Sequence, residues 1–166
     1  MNALWAYLWP AFAAGLLAGG VSGTIAFRRR SRRNAALAIG LAASLVIACF
    51  WHGPFGGAER FTAQIEHDAR AALDYYEMTK VTAHLHHGPL TRRLILAGPA
   101  DEFQTSELAR LMSQLPGVSR AQWSAAPAGP PLIAEGLGSG LVGFLFGLLL
   151  AYLVELRRRY NAQWTW

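Results

Sequence analysis

GLGSGLVGFLFGLLLAYLV, residues 136–154, runs without a charged side chain or a proline. At 1.5 Å per residue such a stretch makes a helix of about 28 Å, close to the thickness of a bilayer's hydrocarbon core. Two similar stretches lie upstream. Residues 3–27 carry no charge over about 25 positions and residues 35–51 none over about 17, where roughly 20 suffice to cross. One apolar helix can hide in a soluble core, but three in a chain of 166 residues leave only lipid to cover them. Helices are required, because separate apolar segments cannot close a barrel and hydrocarbon offers no partner for a free backbone N–H. The composition agrees: 53% of residues are hydrophobic and 15% charged, against about 25% charged in soluble domains. Cys49 is the single cysteine, so no internal disulfide can form; its place near the end of a span fits packing.

The expected fold class is therefore a membrane protein of three transmembrane α-helices with a small extramembrane α+β domain of order α-β-β-α-β. Its divisions are a first span at 3–27, an arginine-rich loop at 28–34, a second span at 35–51, an outer domain with linkers at 52–131, a third span at 132–156 and a tail at 157–166.

Charge sets the expected orientation. Arg28, Arg29, Arg30, Arg32 and Arg33 fill the link between the first two spans, and Arg157, Arg158 and Arg159 follow the third. With all three spans crossing, these clusters share one side, which the positive-inside rule makes cytoplasmic. The N-terminus and the long 52–131 segment then lie outside a bacterial inner membrane. From His52 to Glu135 there are seven basic and nine acidic residues, so the net charge of +5 is a topology signal and a contact for anionic phospholipid heads, with no nucleic-acid partner expected. The first span lacks a basic n-region and carries its charges after the apolar run, so it is expected to be retained and not cleaved. Trp5, Tyr7, Trp9 and Trp51 at the outer ends, with Tyr152 and Tyr160 at the inner end, fit interfacial aromatic belts.

Each span carries a stripe of small residues. Gly15, Gly19 and Gly23 recur every four positions; Ala36, Gly40, Ser44 and Ala48 do the same; Gly136, Gly140, Gly143 and Gly147 share one face of the third span, with Leu137, Leu141, Phe144, Leu145 and Leu148 opposite. Small-xxx-small faces let backbones approach, and packing is what holds helices together in lipid. Three stripes leave surplus surface for other integral membrane subunits. No ionisable residue sits mid-span, which argues against a pump, channel or transporter and removes an imidazole ligand for a haem or chlorin at mid-membrane. No cofactor is expected, with a lipid or pigment at the helix interfaces left open.

In the outer segment, residues 58–76 place Phe61, Ile65, Ala69, Ala72, Leu73 and Tyr76 on one helical stripe. Residues 80–86 and 90–97 alternate around a His87-Gly88-Pro89 turn, burying Val81, Ala83, Leu85, Leu94 and Leu96. Asp101 or Thr105 can cap a second helix with Phe103, Leu108, Leu111 and Leu115 inward, stopped by Pro116-Gly117 before a short strand at 118–124. Residues 125–131 return the chain as an Ala-, Gly- and Pro-rich linker.

This segment, residues 58–124, resembles a BON domain, a small envelope module of that topology. The carrying residues are Gly98 after the strand, the helix with Leu108, Ala109 and Leu111, and the Leu115-Pro116-Gly117-Val118 exit. His86-His87-Gly88-Pro89 departs from the usual Asp-Gly type of turn. The resemblance implies binding to phospholipid surfaces or envelope proteins, and no catalysis.

His84, His86 and His87 invite a metal reading, but no cysteine or carboxylate stands at ligand spacing, so solvated strand histidines are expected. Asp68, Asp74 and Glu77 read as a solvated helix face. Phosphate loop, nucleophile elbow and metalloprotease motifs do not occur. The expected function is thus a non-catalytic accessory subunit of a larger inner-membrane complex, respiratory or photosynthetic in type, with the tail carrying Trp164 and Trp166 as an anchor. The alternative is an independent envelope protein whose outer domain binds phospholipid or periplasmic partners.

Overall fold

A computed structural model describes residues 2–123 and 129–162, with Arg30 described by its backbone alone. The order is α1 (Ala3–Arg28), a 3-10 turn (Arg30–Arg32), α2 (Arg33–His52), α3 (Gly57–Tyr75), β1 (Thr82–His87), β2 (Leu90–Ala97), α4 (Glu102–Met112), β3 (Arg120–Gln122) and α5 (Leu132–Ala162). Three of these helices, α1, α2 and α5, are long and apolar enough to cross a membrane. The chain forms two compact units.

The helical unit comprises Leu8–Phe55 and the chain from Gly136 onward. With 26, 20 and 31 residues, α1, α2 and α5 measure about 39, 30 and 46 Å. The third helix thus outruns a hydrocarbon core and continues through Arg157, Arg158 and Arg159 to Ala162, beyond the boundary at 156 read from the apolar run. Large apolar side chains such as Leu17, Ile39 and Leu145 are exposed, as a lipid-facing surface requires. Phe144 corrects the face reading of the third span. It was expected opposite the glycines, yet it is buried, and its ring fills the space beside Gly40 of α2.

The α/β unit comprises Gly56–Glu135 together with the chain up to Tyr7, so the first turns of α1 and α5 belong to it. Its sheet has the order β1-β2-β3. β1 and β2 are antiparallel, with Ala83 opposite Leu96 and Leu85 opposite Leu94 and an irregularity between Leu85 and His87. β2 and β3 are parallel, with Leu94 opposite Ala121, so α4 serves as the crossover that a parallel pair needs. The core is Ile65 and Leu73 of α3, Val81, Leu94 and Leu96 of the sheet region, and Met112 of α4. Gly98 has φ 143, and a Cβ there would collide with the Lys80 carbonyl and the Val81 backbone, so only glycine permits the chain to leave β2 beside β1.

Local chemistry fixes the helix ends. Asp101 accepts from the Gln104 amide at 2.7 Å while the Gln104 side chain accepts from the Asp101 amide at 3.1 Å, a reciprocal capping box on α4. α3 closes through Glu77, a non-glycine residue at φ 59, and the Met78 amide donates back to the Leu73 carbonyl at 2.9 Å. This is the Schellman arrangement with glutamate where glycine is usual. Glu77 therefore lies beyond the helix face on which the periodicity placed it. Two further inward assignments are corrected: Phe103 and Tyr76 are exposed. The buried residues of α4 are Leu108 and Met112, and Phe103 falls on the opposite face from Met112. Tyr7, read as an interfacial ring, is 2% exposed and packs on Phe61 at a centroid distance of 5.9 Å. The linker at 125–128 and the tail tryptophans Trp164 and Trp166 lie outside the described residues.

Candidate functional site

The small residues of the three spans meet one another. A methyl group at Gly15 would strike the Gly140 carbonyl and the Phe144 amide; at Gly19, the Phe144 carbonyl; at Gly143, the Phe12 carbonyl; at Gly147, the Leu16 carbonyl. These are backbone atoms, so α1 and α5 touch main chain to main chain. Gly23 faces the Ala151 and Leu148 side chains, and Gly40 faces Ser22. Ser44 donates to the Gly140 carbonyl, Ser139 to the Leu8 carbonyl at 3.1 Å, and Gly136 is buried. The glycine faces are thus occupied within the chain, while Gly20 and Gly138, which the stripes did not single out, open onto free space.

A second constellation stands at the arginine end of this unit. Glu155 is 6% exposed and accepts from Arg158 Nε and Nη2, both at 3.1 Å, and from Arg159 Nε at 3.2 Å. Arg28 of α1 approaches it at 3.6 Å, and Arg159 also donates to the Phe27 carbonyl at 3.3 Å. Both arginine clusters therefore converge on one carboxylate at one end of the bundle. A carboxylate so engaged is an acceptor with its lone pairs occupied, suited to clasping helix ends and not to moving protons. Sequence reading assigned these arginines to topology and overlooked Glu155. The signal was present: a glutamate in the last apolar turn, with arginines three and four positions on, where helical neighbours meet.

Beside this clasp, Thr24, Ile25, Arg28, Arg29 and Arg32 enclose a pocket of about 430 Å³. A groove of about 490 Å³ adjoins it between α1 and α2, sharing Ile25 and Arg32 and lined otherwise by small and branched apolar residues such as Ala18, Val21, Ala36 and Ile39. Arg29 and Arg32 make no ion pair among the described residues, in contrast to Arg28. Arg33 begins α2 and Arg157 extends α5, both exposed.

In the α/β unit the histidines are held singly. His84 Nδ1 lies 3.5 Å from Glu66 Oε1, a carboxylate that sequence spacing did not reveal because it comes from α3. His86 Nδ1 lies 3.0 Å from the Pro89 carbonyl. Among the described residues no three His, Cys, Asp or Glu side chains gather as a metal-ligand set. Glu66 also accepts from the Leu85 amide at 3.0 Å, and Arg70 donates to the Val81 carbonyl at 3.0 Å. These two side chains of α3 cover backbone groups along the open edge of β1, which would otherwise template another strand. Arg70 also pairs with Asp74 through Nε and Nη2; that hydrogen bond holds the Asp74 carboxyl below the usual aspartate range. Asp68 accepts from Gln64 at 2.8 Å.

What the α/β unit leaves uncovered is aromatic. Tyr75 is 82% and Phe103 75% exposed, and Tyr76 is exposed beside Tyr75, the rings meeting edge-on at 5.2 Å. No protein-family model, curated protein or solved structure matches this chain.

Proposed function

We propose that this protein is a non-catalytic accessory subunit of a larger complex in a bacterial inner membrane, anchored by its three helices and docking through its α/β domain. The observation that carries the reading is the exposure of Tyr75, Tyr76 and Phe103 on a small domain whose own core is complete without them. Large aromatic side chains held in water at helix termini are the usual anchors of protein interfaces. The glycine faces, being spent on closing the bundle, leave the helices to meet lipid and move the partner surface onto this domain. In this reading the arginine clusters face the cytoplasm, the chain between the second and third spans lies outside, and the host complex is of respiratory or photosynthetic type.

Extraction in mild detergent followed by native electrophoresis tests the proposal. The protein is expected to migrate with a larger assembly, and a Tyr75→Ser, Phe103→Ser double variant is expected to release it as a folded monomer. A monomer under every gentle condition would overturn it.

The element order α3-β1-β2-α4-β3 favours a second reading, that of a BON-like domain binding phospholipid surfaces. Full-length protein in nanodiscs that captures added anionic vesicles, with no co-migrating subunit, would select this alternative.

A further inference from the structure

We propose that the pocket under Arg28, Arg29 and Arg32 and the apolar groove between α1 and α2 form one binding site for an anionic phospholipid, headgroup in the pocket and acyl chain in the groove. Two independent features converge on it. The first is shape: the pocket of about 430 Å³ and the groove of about 490 Å³ adjoin through Ile25 and Arg32, so a molecule seated in one extends into the other. The groove follows α1 from Ala18 to Ile25, about 10 Å of helix. Beyond Arg32 at the shared end, its walls are apolar or small apart from Ser22, and the Ser22 hydroxyl is already directed at the Gly19 carbonyl at 3.4 Å. Such a surface accepts methylenes and offers little to a polar ligand.

The second feature is charge. Arg29 and Arg32 have no acidic partner among the described residues, whereas Glu155, the carboxylate that Arg28 approaches, is taken up by Arg158 and Arg159. The pocket mouth is therefore a site of uncompensated guanidinium charge, with the Thr24 side chain lining it. Guanidinium groups recognise phosphate oxygens through paired N–H donors. Neither half alone specifies a lipid: free phosphate would satisfy the arginines and any apolar segment the groove. Only a molecule with a phosphate at one end and a hydrocarbon chain at the other satisfies both, in the orientation that a bilayer imposes on its own lipids. At Gly40 a side chain would collide with Ser22, so α1 and α2 are in contact at these two lining residues.

Native mass spectrometry of the delipidated full-length protein, titrated with phosphatidylglycerol or phosphatidylcholine, tests this. Each arginine near an anionic head is worth roughly fivefold, so about twenty-five-fold preference for phosphatidylglycerol is expected from Arg29 and Arg32 together. Arg29→Gln with Arg32→Gln is expected to bring the two lipids close to parity. Because those arginines also bear on membrane orientation, a groove-filling variant, Ala36→Leu, serves as the second probe. It keeps every charge and is expected to weaken phosphatidylglycerol binding at least about tenfold. Equal binding of both lipids by the unaltered protein, or displacement of phosphatidylglycerol by millimolar inorganic phosphate, would overturn the proposal. So would a dimer, or a bound protein, lost on Ala36→Leu, because the groove would then hold a polypeptide.

Discussion

Ser44 donates its hydroxyl to the carbonyl of Gly140, 3.2 Å away on a helix 96 positions further along the chain, and both residues are buried. The contact explains why glycines of one stripe should respond differently to a methyl group. A Cβ at Gly140 meets Ser44 Oγ at 3.4 Å and the Ala48 methyl at 3.7 Å, ordinary contacts; a Cβ at Gly143 strikes the Phe12 carbonyl. Gly140→Ala is expected to change stability by less than about 1 kcal/mol, since helix propensity offsets slight crowding. Gly143→Ala is expected to cost about 1–3 kcal/mol through displaced backbone. Ser44→Ala should cost about 0.6 kcal/mol, the usual worth of a hydrogen bond between membrane helices. Steric-trapping or chemical unfolding in detergent checks all three.

Glu155 joins α1 to α5 at their arginine ends. Replacing it by glutamine keeps the shape and removes the charge that Arg28, Arg158 and Arg159 share. Glu155→Gln is expected to lower the thermal midpoint of the helical unit, and molar salt should shrink the difference from the unaltered protein, because all three arginines reach solvent. An unchanged midpoint at low salt would show that the clasp contributes nothing.

The Schellman turn after α3 runs through Glu77 at φ 59, a left-handed conformation that costs a side-chain-bearing residue about 1 kcal/mol. Glu77→Gly is expected to recover about that amount, reduced by the greater freedom glycine has when unfolded. Hydrogen exchange at the Met78 amide, which donates to the Leu73 carbonyl, is the local measure. Slower exchange is the expected result and faster exchange the contrary one.

Asp74 supplies a pH signature. Its carboxyl is held below the ordinary aspartate range, first by the hydrogen bond from Arg70. A depressed folded-state pKa stabilises the native chain above the unfolded value of about 3.9 and loses that contribution as pH falls through the folded value. The α/β unit should therefore loosen below about pH 4 more steeply in the unaltered protein than in Asp74→Asn, read by hydrogen exchange along β1, whose neighbour Val81 Arg70 also holds.

Much of this fold was legible because lipid imposes a simple code: charge-free length marked α1, α2 and α5, and alternation marked β1 and β2. Most of the failures come from contacts that periodicity cannot see. Phe103 lies on the face of α4 opposite the buried Met112, and Tyr76, though on an inward phase, stands past the end of α3 at Tyr75, so both rings are exposed. Phe144 belongs to the leucine face by angle, but a gap beside Gly40 on a different helix takes its ring. Glu155 was hidden by its own neighbours, because three arginines in a row read as a membrane-side marker before they read as partners of a carboxylate. Glu66 reached His84 and the β1 edge from a distant element, where sequence spacing gives no sign.

The two arginine clusters supply a final test. Arg28 and Arg158 both contact Glu155, so the turn after α1 and the end of α5 occupy one end of the helical unit whatever the membrane does. With eight arginines there, that end should be cytoplasmic. In a Cys49→Ser background, single cysteines at Ser31, Asn161 and His87, all exposed positions, report the sides. Ser31→Cys and Asn161→Cys are expected to resist a membrane-impermeant maleimide in intact cells and to react after permeabilisation. His87→Cys, in the segment between the second and third spans, is expected to react at once. Labelling that separates Ser31→Cys from Asn161→Cys would contradict the Glu155 geometry itself. A shared but outward-facing pair would leave that geometry intact and reverse only the orientation.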